Sequence, residues 1–229
     1  MDRLKQSFLR EQAKVRQLGC KAGVEYVWQY YHRWIIGTVL FLGLAVFLIV
    51  RFMTTPSETA FYLTLANTRE DAGTGSALWK GYAAYTGYDP KKVRIIFNSD
   101  AYFDYARDQG RGNAYYSLFT GLVDEGVLDA VTMEPDSLTA LGSTGRLLDL
   151  NRADCAALRE KFGGRLLYAI PLDIEYSASP VPIGIDVSDS ILATRYHLYE
   201  NGCALGIGAG TRRLEAVEAF LDYIYAEGA

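Results

Sequence analysis

The chain has 229 residues, 50% of them hydrophobic and 22% charged, with a formal net charge of −4 and a mean hydropathy near zero. That composition supports a sizeable buried core and excludes both a disordered chain and a disulfide-stapled miniprotein. Three Cys with no CxxC pair and two His exclude a structural zinc set, and a negative net charge argues against a nucleic-acid binder, whose affinity rests on basic surface.

Residues 1–33 carry seven Lys and Arg against three Asp and Glu, a net +4. Residues 34–53 contain the uncharged run IIGTVLFLGLAVFLIV, with Trp34 at one rim and Arg51 at the other. Twenty helical residues cover roughly 30 Å, the hydrocarbon thickness of a bilayer. A transmembrane helix is therefore expected over 34–53. The long polar lead and the lack of a small-residue cleavage site point to an uncleaved signal anchor instead of a removed signal peptide. Leu18-Gly19-Cys20 touches a lipoprotein pattern, but no apolar run precedes it, so lipidation is not expected there. The basic lead places the N-terminus in the cytoplasm and residues 54–229 outside, as a single-pass protein of the cell membrane. Ahead of the span, Tyr26, Tyr30 and Trp34 recur every four residues and Trp28 and Tyr31 add aromatic surface. This spacing lines rings along one helical face at headgroup depth, as an interfacial helix or as a surface for a membrane protein partner.

Residues 54–59 form a polar linker, and residues 60–229 read as one extracytoplasmic α/β domain. Strands are expected at 61–66, 93–97, 128–133, 166–170, 181–185 and 203–207. Between the first two, a helix presents Leu78, Tyr82 and Tyr85 on one face; a second helix over 113–125 turns Tyr115, Leu118, Phe119 and Leu122 inward and closes at Gly126. Pro135 fits the first turn of a third helix. Asn151 to Asp154 opens another that ends at Gly163-Gly164. A last helix starts near Thr211 with Leu214, Val217, Leu221 and Ile224 along one stripe. Alternation of strands and helices implies a mostly parallel sheet covered on both faces.

Little in this domain points to chemistry, and no cofactor is expected. Gly206-Ile207-Gly208-Ala209-Gly210-Thr211 lies between a strand and a helix, but Thr211 stands where a dinucleotide fingerprint needs glycine, and no phosphate-loop Lys follows. A tight turn capped by Thr211 is the expected role. His197 has no nucleophile set around it and is expected as a partly exposed helix residue. Cys155 and Cys203 are expected as buried free thiols. Tyr102, Tyr105, Tyr115 and Tyr116 either pack at the core's rim or line a ligand cleft.

The segment YYSLFTGLVDEGVLDAVTMEPDSLTALGSTGRLLDL, residues 115–150, resembles extracellular solute-binding proteins of ABC importers. The matching features are Asp124-Glu125-Gly126 as a helix-ending turn, residues 128–132 as a strand, and the Gly145 to Leu150 segment. The ending ALGIGAGTRRLEAVEAFLDYIYA is similar to that family's late strand and helix, and the start VEYVWQYYHRWIIGTVL resembles small membrane-anchored bacterial proteins bearing such domains. The resemblance implies one periplasmic-binding-protein-like lobe with most of the second lobe missing. It places a ligand site at the carboxyl ends of the parallel strands, here Asn67 and Thr68, then Asn98, Ser99 and Asp100, then Glu134, with Asp186 near the crossover. The implied function is non-enzymatic binding of a small solute (sugar, amino acid or peptide), as an accessory of solute uptake. The alternative is a scaffold or assembly subunit of a membrane complex that has lost ligand binding. An enzyme working through carboxylates such as Glu134 and Asp186 is the third reading.

Overall fold

The computed structural model describes residues 19–54, 56, 58–172 and 179–226. It divides into two units, Met1–Thr55 and Pro56–Ala229, a division that falls inside the expected linker.

In the first unit, helix α1 spans Gly19–Thr54, and its segment Trp28–Arg51, 24 residues long, is long and apolar enough to cross a membrane. Those 24 residues rise about 36 Å. Large apolar side chains from Val39 to Val50 are exposed, whereas the core helix of a globular domain would cover them. Arg51 in the last turn suits the negative end of the helix dipole. Trp28, Tyr30, Tyr31 and Trp34 are exposed on the same helix. Residues 1–18 and the Tyr26 side chain lie outside the described set.

The second unit is one six-stranded sheet with helices on both faces. In chain order it runs β1 (Thr59–Leu65), α2 (Ala77–Thr86), β2 (Arg94–Asn98), α3 (Tyr105–Asp108), α4 (Ala114–Asp124), β3 (Ala130–Met133) and α5 (Pro135–Gly142). It continues with α6 (Ala156–Phe162), β4 (Leu166–Ala169), β5 (Val181–Asp186), α7 (Ile191–Thr194), β6 (Ala204–Ile207) and α8 (Leu214–Ala226). The strand order is β2-β1-β3-β6-β5-β4.

The sheet is mixed, where a mostly parallel one was expected. β2, β1 and β3 are parallel, but β6 runs antiparallel to β3, β5 to β6 and β4 to β5. The connections explain the reversal. Residues 187–203 carry only the four-residue α7, so the chain leaves β5 and re-enters as β6 at the same edge of the sheet. Parallel entry needs a crossover that packs back over a face, usually a longer helix.

Strand alternation divides the core into two layers. Phe61, Leu63 and Leu65 of β1 face the layer shared with α2, α6, α7 and α8, while Val131 and Met133 of β3 face the layer shared with α4 and α5. At the centre of the first layer, Phe61, Tyr82 and Phe220 meet with ring centroids 5.2–5.5 Å apart. The Tyr82 hydroxyl donates to the Ala216 carbonyl and the Tyr223 hydroxyl to the Leu78 carbonyl, which ties α2 to α8. Two inward faces differ from expectation. In α4, Phe119 and Val123 point to the core while Tyr115 and Leu118 are exposed. Tyr85 of α2 is also exposed, because Leu78 and Tyr82 already fill the contact with the sheet. Pro135 opens α5 as expected.

The glycine turn after β6 is a close-packing device. A Cβ on Gly208 would stand 2.5 Å from the Leu128 carbonyl oxygen, and one on Gly210 would strike the Val123 carbonyl. This approach brings Thr211 and Arg213 to Asp129, which is fully buried. Arg213 Nε donates to both carboxylate oxygens at 3.1 and 2.9 Å, the Thr211 hydroxyl donates at 2.6 Å and the Tyr62 amide at 2.8 Å. Thr211 also accepts from the Arg213 amide at 3.1 Å, and helix α8 begins at Leu214.

Asp129→Ala strands a guanidinium, a hydroxyl and an amide at once. Breaking such a pair from one side costs about 3–5 kcal/mol, here towards the lower end because the Arg213 side chain is 29% exposed and regains hydration. A corresponding fall in the urea midpoint at unchanged m-value is expected. A loss within the range of an exposed ion pair would show that Asp129 is not the clamp described.

Candidate functional site at the strand-end edge

The strand directions bring all seven sequence-predicted residues to one edge of the sheet. Asn67 and Thr68 follow β1, Asn98 ends β2 with Ser99 and Asp100 beyond it, Glu134 follows β3, and Asp186 ends β5. β5 runs alongside the parallel half in the same direction, because two antiparallel steps separate it from β3.

Six of these seven side chains are engaged by their own chain, and the exposed Asp100 is held through its backbone amide. Asn67 holds a left-handed backbone, φ 61°, a conformation that Asn tolerates better than most residues. Its Nδ2 donates to the Phe103 carbonyl at 2.8 Å and its Oδ1 accepts the Phe103 amide at 3.0 Å, clamping the β2–α3 loop onto the end of β1. Asn98 Oδ1 accepts the Asp100 amide, and the Thr68 hydroxyl donates to the Ser99 carbonyl at 3.5 Å. Ser99 donates to Asp71 at 2.8 Å. The Gly73 amide, and after it the Ser99 hydroxyl, hold the Asp71 carboxyl below its usual range. Glu134 accepts from the Asn201 amide group at 3.1 Å. Asp186 accepts both the amide and the hydroxyl of Ser188, and that hydroxyl also receives the Cys203 amide at 2.9 Å.

The middle of the edge is covered by residues 195–201. Tyr199 is buried, with its hydroxyl 2.8 Å from Thr132 Oγ1 and donating to the Thr132 carbonyl at 3.0 Å. Leu198 is buried beside it and its carbonyl accepts the Arg69 amide at 3.0 Å. Arg69 also pairs with Glu200 at 3.5 Å on the surface. His197 is exposed at the loop's bend with φ 49°. It lies outside any helix, because α7 stops at Thr194.

The predicted tyrosines separate. Tyr105 and Tyr116 meet as tilted rings with centroids 5.4 Å apart and line a cleft of about 760 Å³ with Thr144, Arg146 and Ala209 towards the opposite edge. Tyr102 and Tyr115 are exposed outside it. Arg146 in that cleft is ion-paired with Asp124. Cys155 and Cys203 are both free and buried. Among the described residues no group of three or more His, Cys, Asp and Glu is placed to hold a metal ion.

The chain was compared with protein-family models, with curated proteins and with solved structures. None of the three comparisons found a match.

Sequence reasoning overlooked the 195–201 cover and the Asp129 clamp. The clamp had a signal: Asp129 interrupts an otherwise apolar strand between Leu128 and Ala130, where an unpaired carboxylate is untenable. The cover had none, since RYHLYENG has no regular hydrophobic period.

Burial holds the Cys203 thiol and the Tyr199 phenol well above their ordinary ranges. Both groups therefore stay protonated in the folded chain at pH values where the unfolded chain ionises them. Their contribution to stability is complete below the ordinary thiol range and is lost as pH rises above it. Stability should thus fall progressively from about pH 9 upward, with neither Cys155 nor Cys203 alkylated at pH 8 until the chain is unfolded. Rapid alkylation of Cys203 in the native protein would contradict the buried, proton-bearing thiol.

Proposed function

We propose that the chain is a single-pass membrane-anchored protein whose extracytoplasmic α/β domain serves as a non-enzymatic scaffold or assembly subunit of a membrane complex. One observation carries this reading: the strand-end edge, where open α/β sheets offer their ligand crevice, is filled by the chain's own residues 195–201, with Tyr199 bonded to Thr132. A solute entering there would have to displace two buried side chains and leave the Thr132 hydroxyl without its Tyr199 partner. The order of strands and helices suits descent from one lobe of a solute-binding protein, with the edge sealed where a second lobe would have closed over ligand. The basic lead supports a cytoplasmic N-terminus, and the aromatic face of Tyr26, Tyr30 and Trp34, with Tyr31 flanking it, Trp28 on the other side of the helix and Arg51 at the far rim, offers a docking stripe at the bilayer.

A second reading, capture of a small solute as an accessory of uptake, draws on the cleft lined by Tyr105, Tyr116 and Arg146, because tyrosine faces stack on sugars and peptides.

Three measurements test the proposal together. Protease added outside intact cells should remove the α/β domain and spare the N-terminal tail; digestion of the tail alone would reverse the orientation. Partner proteins that copurify with the full-length chain should be lost when Tyr26, Tyr30 and Trp34 become Ala, with membrane insertion retained. Sugars, amino acids and peptides at millimolar concentration should leave Tm unchanged. A ligand that raises Tm, with the rise abolished by Arg146→Ala, would replace the scaffold reading with solute capture.

A further inference from the structure

The segment that covers the strand-end edge finishes in an Asn-Gly pair. Asn201 and Gly202 lie in the irregular stretch between α7 and β6, with Asn201 exposed. The Asn201 side chain makes one hydrogen bond, from Nδ2 to Glu134 at 3.1 Å, which ties the last residue of the cover to the N-cap position of α5. Among the described residues, no hydrogen bond reaches Asn201 Oδ1 or the Gly202 amide. Position 202 requires glycine: its φ is 89°, and a Cβ there would stand 2.6 Å from Ser188 Oγ. The amide nitrogen next to Asn201 therefore has no neighbouring side chain to screen it. The chain's other four asparagines are held. Asn67 is bonded through both ends of its amide group to Phe103, Asn98 Oδ1 accepts the Asp100 amide, and Asn113 Oδ1 accepts the amides of Tyr115 and Tyr116. Asn151 is followed by Arg152, whose amide is committed to the Asp149 carbonyl at 3.2 Å.

We propose that Asn201 is a deamidation site whose conversion unfastens the 195–201 cover. Asparagine is a labile side chain, and here its attacker is the Gly202 nitrogen. That nitrogen gives its proton to hydroxide and bonds to the Asn201 side-chain carbonyl carbon. The bond from this carbon to Nδ2 breaks, and Nδ2 leaves as ammonia with a proton from water. Water then opens the cyclic imide. Attack at the side-chain carbonyl leaves aspartate, and attack at the main-chain carbonyl leaves isoaspartate. Either product puts a carboxylate where Nδ2 now donates to Glu134. A donor facing an acceptor becomes two like charges at close range, with Glu200 adjoining them. Isoaspartate also lengthens the main chain by one carbon just ahead of Cys203, whose amide is bonded to Ser188 Oγ. The inference rests on the sealed edge alone, and neither the membrane anchor nor a partner enters it.

Full-length protein in mild detergent, held at mildly alkaline pH and then digested with trypsin, tests the site. The peptide of residues 196–212 contains Asn201 as its sole side-chain amide, so an amide-to-acid mass gain and resolution into aspartate and isoaspartate forms report the conversion directly. Position 201 should convert ahead of Asn67, Asn98, Asn113 and Asn151, and faster as pH rises. Earlier conversion at any of those four overturns the site. Asn201→Asp reproduces the product in the unaged chain. Cys203 should then be alkylated roughly tenfold faster than in the parent, the gain in open population that follows loss of a hydrogen bond to a charged acceptor, while Cys155 stays protected. Adding Glu134→Gln returns a donor to the pair and should slow Cys203 again, which keeps the test intact should Asn201→Asp alone fail to fold. Unchanged alkylation of Cys203 in folded Asn201→Asp, or no recovery in the double variant, overturns the release of the cover.

Discussion

The carboxylate of Asp129 is the constraint on which the rest of the α/β unit depends. It sits at the entry to β3 and is bonded by the β1 backbone at Tyr62 and by Thr211 and Arg213 beyond β6. Those three segments meet where the parallel half of the sheet gives way to the antiparallel half. A buried carboxylate is tolerable only when its oxygens are fully used, so the acid, the arginine and the glycines that let them approach form one requirement. Arg213 is held in turn by the Val127 carbonyl at 2.6 Å. The outcome fixes the register of β3 against β6 and the point at which α8 starts. From there α8 lays Val217, Phe220, Leu221 and Ile224 over the first layer of the core.

Much of the fold was legible because its signals are local. The apolar run of α1, the strands at 61–66, 128–133 and 181–185 and the stripe of α8 can be read from hydrophobic period alone, and Pro135 marks the start of α5. The faces of α2 and α4 were less legible. Tyr115 and Leu118 are apolar enough to be read as core, but the sheet surface that α4 covers is already occupied by Phe119 and Val123 with Phe103 beside them. Strand direction was legible only in part: β1, β2 and β3 run parallel as expected, whereas the reversal beyond β3 is set by whether a connection crosses a face of the sheet or stays at one edge, and residues 187–203 do not announce which.

The candidate site divides in the same way. Placement of Asn67, Asn98, Glu134 and Asp186 along one edge follows from the strand order, and sequence reasoning captured it. What each side chain does there is a matter of partners distant in sequence: Phe103 for Asn67, Asn201 for Glu134, Cys203 by way of Ser188 for Asp186. Polar residues at strand ends serve capping as readily as binding, and only three-dimensional proximity separates the two. Tyr199 makes the difference visible, because one buried phenol converts an open crevice into a finished surface.

The position of β1 has a mechanical consequence. It is the first strand after the boundary at Pro56, yet it lies inside the sheet, with β2 hydrogen-bonded on one side and β3 on the other. Tension transmitted through the chain ahead of Thr59 therefore enters a strand held by two ladders, which must slip together along their length before it can leave. Had the same chain entered at β4, the load would have peeled away an outer strand one hydrogen bond at a time.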